Sequence, residues 1–266
     1  MTSVGERVRY FRVENLSVEV HPDGKSLGAA AALAAAEAMK HLGAGQESFG
    51  VIFATGVSQQ DTLEALTRIE GIPWNRVRGF HLDEYVGLPI EHAASFRRYL
   101  RENLTQKVDM RAFHEVDGTA ADLDQVCRLY AEKLAAANPE LCLLGIGENG
   151  HLAFMDPAVA DFEDPMDVKV VKLDAACRTQ QVAEGWFNNI EAVPERAISV
   201  TIPAILRVAK LIVSVPGSRK AAIMRRTLEE AISTLCPATI LRTHPDVTVY
   251  LDQESAAELD GFALPG

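Results

Sequence analysis

The chain is expected to fold as an α/β protein whose mostly parallel sheet is covered by helices on both faces, a prediction that rests on three observations. Short apolar or β-branched runs alternate with helical patterns nearly throughout, as they do when parallel strands are joined by crossover helices. Several of those runs end directly in polar, glycine-containing segments, as strands do where loops gather at one edge of an open sheet. The 266 residues are 48% hydrophobic, enough to bury one large core. No internal repeat, low-complexity linker or compositional break divides them, so residues 1–266 are read as one domain.

Arg9–Glu19 reads as a strand or strand pair ending at the turn His21-Pro22-Asp23-Gly24. Ser26–Leu42 is alanine-rich and helical, stopping near Gly43. Gly50–Ala54 is a strand, followed by a helix over Gln59–Glu70 with Ser58 as its cap. The strand Val77–Phe80 leads through a loop to the helix Ser95–Leu104. A short strand near Phe113–Val116 precedes the helix Asp122–Ala137, and the strand Leu141–Ile146 follows. Beyond it come a strand over Val168–Leu173 and a helix over Arg178–Trp186. Ala197–Ile202, Leu211–Val215 and Val247–Leu251 complete the strands, with helices near Arg219–Ala231 and Ala238–Arg242.

Composition narrows the function. A net charge of −11 gives no basic face for nucleic acid or an anionic membrane surface, yet leaves room for a local positive pocket that takes a small anion. Cys127, Cys142, Cys177 and Cys236 show no C-x-x-C pair or zinc spacing and are expected to be reduced core residues. The first residues carry Glu6, Arg7 and Arg9 with no apolar stretch between them, so no secretory signal is expected. No run approaches the ~18 apolar residues of a membrane span. The expectation is a cytoplasmic protein.

Two stretches carry chemistry. The first, His81-Leu82-Asp83-Glu84-Tyr85-Val86-Gly87-Leu88, follows one apolar run; the second, Gly145–Pro157, follows another. A carboxylate at one strand end and a glycine-flanked histidine at another are parts for moving protons on a small substrate. Asp83-Glu84 could instead be a solvated pair or a helix cap, and a lone His151 is more often a satisfied core histidine. Gly150 before His151 and Asp156 five residues after it favour a ring held against a ligand and oriented by a carboxylate. Thr55-Gly56-Val57-Ser58 and Pro216-Gly217-Ser218-Arg219-Lys220 both stand between a strand and a helix, where free N–H groups can hold a phosphate, although many such turns serve only to turn and cap. Lys220 at a helix start runs against the helix dipole and suggests a nearby anion, although it could equally be an ordinary exposed lysine. The histidines show no H-x-H or H-x-x-x-H pair, so no metal is expected.

At these residues the chain resembles the glucosamine-6-phosphate deaminase family, sugar-phosphate isomerases related to the 6-phosphogluconolactonases. The likeness runs from about Gly50 to Glu254. It is carried by Asp83-Glu84-Tyr85-Val86-Gly87-Leu88 with Glu91, His92 and Ser95, and by Gly145-Ile146-Gly147-Glu148-Asn149-Gly150-His151-Leu152-Ala153-Phe154-Met155-Asp156-Pro157. Tyr85 and the Phe154-Met155-Asp156-Pro157 ending favour the deaminases over the lactonases. The chain departs from the family pattern at Asp156 for a usual Glu, Met155 for Asn, Asn149 for an Asp found in some members, and Val57 for a common Gly.

The resemblance implies a doubly wound, modified Rossmann-like domain without a nicotinamide or other cofactor. It implies that Asp83 takes the C2 proton, and that Asn149, His151 and Asp156 form the group that opens the sugar ring. Thr55, Gly56, Ser58, Glu84, Arg178 and Lys220 are implied to bind a sugar phosphate, Arg178 and Lys220 converging on the phosphate. The reaction implied is aldose–ketose isomerisation with deamination of a 2-amino-2-deoxyhexose 6-phosphate. Hydrolysis of a 6-phospholactone and sensing without turnover stand as alternatives, and the oligomeric state stays open. Some family members are activated by an acetylated amino-sugar phosphate at a site that includes two adjacent serines. Here Val159 and Ala160 replace the hydroxyls and Asp161, Glu163 and Asp164 follow, so no such activation is expected.

Overall fold

A computed structural model describes residues 8–259 of the chain. In chain order the strands are β1 (Arg9–Val13), β2 (Leu16–His21), β3 (Phe49–Phe53), β4 (Val77–His81), β5 (Asp83–Tyr85), β6 (Ala112–His114), β7 (Leu141–Leu144), β8 (Val168–Lys172), β9 (Arg196–Val200), β10 (Lys210–Val215) and β11 (Val247–Asp252). The helices are α1 (Gly24–Gly45), α2 (Gln60–Leu66), α3 (Phe96–Leu100), α4 (Leu123–Ala137), α5 (Ala175–Ala183), α6 (Ile202–Leu206) and α7 (Ala221–Glu229).

Eight strands form one sheet in the order β1-β2-β11-β10-β7-β3-β4-β6. Only the β1–β2 hairpin at its edge is antiparallel; every other pair is parallel. From β3 the chain steps outward to β4 and β6, then returns to place β7 on the other side of β3. Loops leaving β3 and β7 therefore diverge, and a crevice opens at their carboxyl ends.

The central strands are buried on both faces, which is why they read as uninterrupted apolar runs. Val51, Phe53, Leu141, Leu143 and Ile212 pack with α1 and α2 on one face, and Ile52, Cys142, Leu144 and Val213 pack with α4 on the other. Asp23 opens α1 by accepting from the Ser26 N–H while the Ser26 hydroxyl reciprocates, a capping box that starts the helix inside the expected turn. Leu27, Ala31, Ala35 and Met39 then recur on its buried face. At Gly28 an added Cβ would lie 2.8 Å from the Asp61 carbonyl carbon, so only glycine lets α1 cross α2 this closely. That crossing aims the start of α2 at the crevice. The four cysteines are buried and free.

Three expectations change. Asp83–Tyr85 is a strand, and with β8 and β9 it forms a separate antiparallel sheet in the order β5-β9-β8. Ser58 does not cap a helix: a 3-10 turn at Val57–Gln59 precedes α2, and neither start has a side-chain cap. The segments expected as helices near Arg219 and Ala238 begin as or consist of 3-10 turns, Ser218–Lys220 and Pro237–Thr243.

Candidate active site

The crevice holds about 480 Å³ and is walled by the loops after β3, β4, β7, β10 and β11 together with one face of α5. Asp83, Thr55, Gly56, Ser58, His151 and Lys220 all line it. Asp83 is 7% exposed, and its carboxyl is pushed well above its ordinary 3.8 by burial and by the neighbouring Glu84 charge. A carboxylate so placed is a stronger base than a solvated one.

His151 stands opposite a tight reversal of the chain. Leu152 and Met155 form an isolated bridge, and Ala153 between them takes a left-handed φ of 53°. The reversal returns Asp156 to the imidazole, with Oδ1 3.0 Å from Nδ1 but off the line of a full hydrogen bond. Asp156 is fully buried. Burial alone would raise its pKa, yet contacts from His151, the Asn149 amide and the Asp174 N–H outweigh that and hold it below the ordinary value. Asn149 donates to both Asp156 and Asp174 at 3.0 Å, while its own carbonyl accepts from the His151 N–H at 3.1 Å. Behind the ring, Gly147 leaves no space: an added Cβ would overlap the imidazole carbon and both nitrogens.

Asn149 is expected to join the ring-opening group, but it does not line the crevice; it fixes the loop that presents His151. Glu84 also leaves the expected binding role. Its fully buried carboxylate accepts from the N–H groups of Tyr85, Phe96 and Arg97 and from the Ser95 hydroxyl, fastening β5 to the start of α3. Arg178 departs furthest: its guanidinium donates to the carbonyls of Ile190 (2.6 Å) and Val193 (3.1 Å) outside the crevice. Arg178 and Lys220 therefore do not converge.

Lys220 is 7% exposed and, among the described residues, its ammonium has no hydrogen-bond or ion-pair partner. Burial lowers its pKa, and the Glu184 and Glu148 charges work in the opposite direction. The two glycine turns share a backbone form, Gly56 and Gly217 both at φ 91°, a conformation that favours glycine. Their amides differ. Gly217 N–H donates to Asp252 at 2.9 Å and Ser218 N–H to Glu254 at 3.2 Å. Among the described residues no side chain takes the N–H groups of Gly56, Val57 or Ser58, so that turn is the one open to an anion.

Sequence reasoning missed Gln180, Gln181 and Glu184, which α5 turns into the crevice, together with Asp252 at the end of β11 and Glu254 beyond it. Carboxylates at the end of an apolar run, the signal that singled out Asp83, were equally present after Val247–Leu251. His151, Asp156 and Cys177 place potential ligand atoms within 4.8 Å of one another, with all three residues buried. The Cys177 thiol is pushed well above its ordinary 9.0 by burial and by the Asp156 and Asp174 charges.

An open α/β sheet thus brings a buried acid, a His–carboxylate pair and an unpaired lysine ammonium together at its strand ends. Residues 22–250 match the model of the glucosamine-6-phosphate isomerases/6-phosphogluconolactonase family, and the chain belongs to that family. A glucosamine-6-phosphate deaminase of Shouchella clausii is 33% identical over 210 residues, 77% of this chain and 83% of that protein. The solved structure of a monomeric glucosamine-6-phosphate deaminase superposes with a TM-score of 0.84 at 29% identity, covering 91% of this chain and 99% of the other. A 6-phosphogluconolactonase from Trypanosoma brucei shares the fold, with a TM-score of 0.76 at 20% identity over 94% of this chain and all of its own.

Proposed function

We propose that the protein isomerises and deaminates a 2-amino-2-deoxyhexose 6-phosphate, taking glucosamine 6-phosphate and water to fructose 6-phosphate and ammonia. The carrying observation is a buried, base-strengthened Asp83 in the same crevice as the His151–Asp156 pair. His151 moves the O1 proton to O5 as the ring C1–O5 bond breaks, giving the open-chain aldehyde. Asp83 then takes the C2 proton, its bonding pair forms the C1–C2 double bond, and the carbonyl π pair moves to O1, which takes a proton to give the enolamine. A proton delivered to C1 leaves a ketimine at C2; water adds there and ammonia departs. The phosphate supplies binding energy remote from the reacting carbons, which positions C2 against the base.

The test is ammonia release from glucosamine 6-phosphate and galactosamine 6-phosphate, beside hydrolysis of 6-phosphogluconolactone. Ammonia from either amino sugar supports the reading, whereas lactone hydrolysis alone overturns it. Within that assay Lys220→Ala is expected to raise KM for the phosphorylated sugar 10- to 100-fold, matching the loss of about 1.5–3 kcal/mol from a charged hydrogen bond. An unchanged KM would remove Lys220 from the anion site.

N-acetylglucosamine 6-phosphate is expected to leave the kinetics hyperbolic and unaltered. The stretch where an effector anion would sit carries carboxylates already in use: Asp161 accepts from Glu163 N–H, and Asp164 accepts from Met166 N–H and is ion-paired with the Lys169 ammonium. Each like charge a few Å away would repel a phosphate by roughly 1 kcal/mol even in water. Sigmoidal rates made hyperbolic by that compound would contradict this.

A further inference from the structure

We propose that Arg219, not Arg178, is the second cation that grips the anionic end of the substrate, and that it leaves Glu148 to do so. The assignment rests on the sugar-phosphate reading above and adds a residue to it.

Arg219 and Lys220 are the two Lys or Arg side chains among the described residues that line the crevice. The other charged groups along its wall, Asp61, Asp83, Glu184, Asp252 and Glu254, are acids. A dianion entering here depends on those two cations and on the open Gly56–Ser58 turn. Asp252 and Glu254 already occupy the amides at Gly217 and Ser218, so the second turn has neither of these to offer and its cationic side chains carry the contact.

Arg219 is in a state suited to exchange. Its side chain is half exposed, with Nε 3.3 Å from Glu148 Oε1 and Nη2 3.9 Å from Glu184 Oε1, and makes no hydrogen bond among the described residues. Glu148 Oε1 is buried, likewise without a hydrogen-bond partner. The planar guanidinium can give a phosphate two parallel N–H bonds, which these loose contacts do not use. Glu148 and Glu184 also act on the Lys220 ammonium, which places the fork and the point charge over the same region. Arg178 has no such freedom, because its Nη2 is already bonded to two carbonyls.

The proposal is tested by calorimetric binding of glucitol 6-phosphate, an analogue with no carbonyl to react, and of glucitol. Arg219→Ala is expected to weaken glucitol 6-phosphate at least tenfold and leave glucitol unchanged. Arg219→Lys should fall between, since it keeps the charge and loses the fork. Glu148→Gln should tighten the phosphate ester several-fold by freeing the guanidinium, and Arg178→Ala should change its affinity less than twofold in a variant that remains folded. Wild-type binding that Arg219→Ala leaves intact, or that Arg178→Ala alone abolishes in folded protein, overturns the assignment and spares the functional reading. No binding of glucitol 6-phosphate by the wild type overturns both.

Discussion

Asp83→Asn is expected to stop exchange of the substrate C2 proton with solvent and to slow turnover by ~10²–10⁴, the usual cost of losing a general base. Binding of the phosphate ester should survive, because Lys220 and the Gly56–Ser58 turn are untouched. The same substitution should raise the thermal midpoint at neutral pH. Burial and Glu84 raise the Asp83 pKa in the folded chain, so the folded state holds a proton that the unfolded chain has released. Stability therefore falls as pH rises from the ordinary carboxylate value of 3.8 to the raised folded value, and the penalty persists above it. The gain from asparagine should be present at pH 7 and vanish below about pH 3, where both states hold the proton. Near wild-type turnover with no change in the pH dependence of stability would make Asp83 an ordinary structural residue.

Gly147→Ala is expected to cost at least ~10² in kcat, because a misplacement of about 1 Å in a reacting group has that effect. The new methyl would overlap the His151 ring and drive it away from Asp156 towards the open crevice. Overpacking of this kind destabilises by roughly 1–3 kcal/mol. The double variant Gly147→Ala with His151→Ala separates the two effects. Truncating the ring makes room for the methyl, so stability should recover towards that of His151→Ala alone while activity stays lost. Additive losses of stability would show that the methyl clashes with something other than the imidazole.

Much of the parallel sheet was legible because strands covered on both faces must be apolar throughout, and the runs at Val51, Leu141 and Leu211 are. The β5-β9-β8 sheet was not, since Asp83–Tyr85 spans three residues and pairs with a strand more than a hundred residues away. The same short strand explains the misplaced Glu84. Successive residues of a strand face opposite sides, so an acidic pair at its start can send one carboxylate into the crevice and the other into the core. Helical geometry explains Arg178. Cys177, Gln180, Gln181 and Glu184 recur at helical spacing on one face of α5, and Arg178 stands one position round from it. A motif supplies the residue type; the face it occupies depends on where the element begins, and α5 begins at Ala175, three residues before the expected start.

The unequal treatment of the two glycine turns gives the crevice a direction. Asp252 and Glu254 act as internal anions at the Gly217 turn and fill two of its amides before a ligand arrives. Its side chains, Arg219 and Lys220, still line the crevice that the Gly56–Ser58 amides line. A ligand charged at one end would therefore meet bare backbone from one turn and side-chain charge from the other. The direction comes from this division of work, since neither turn alone offers both.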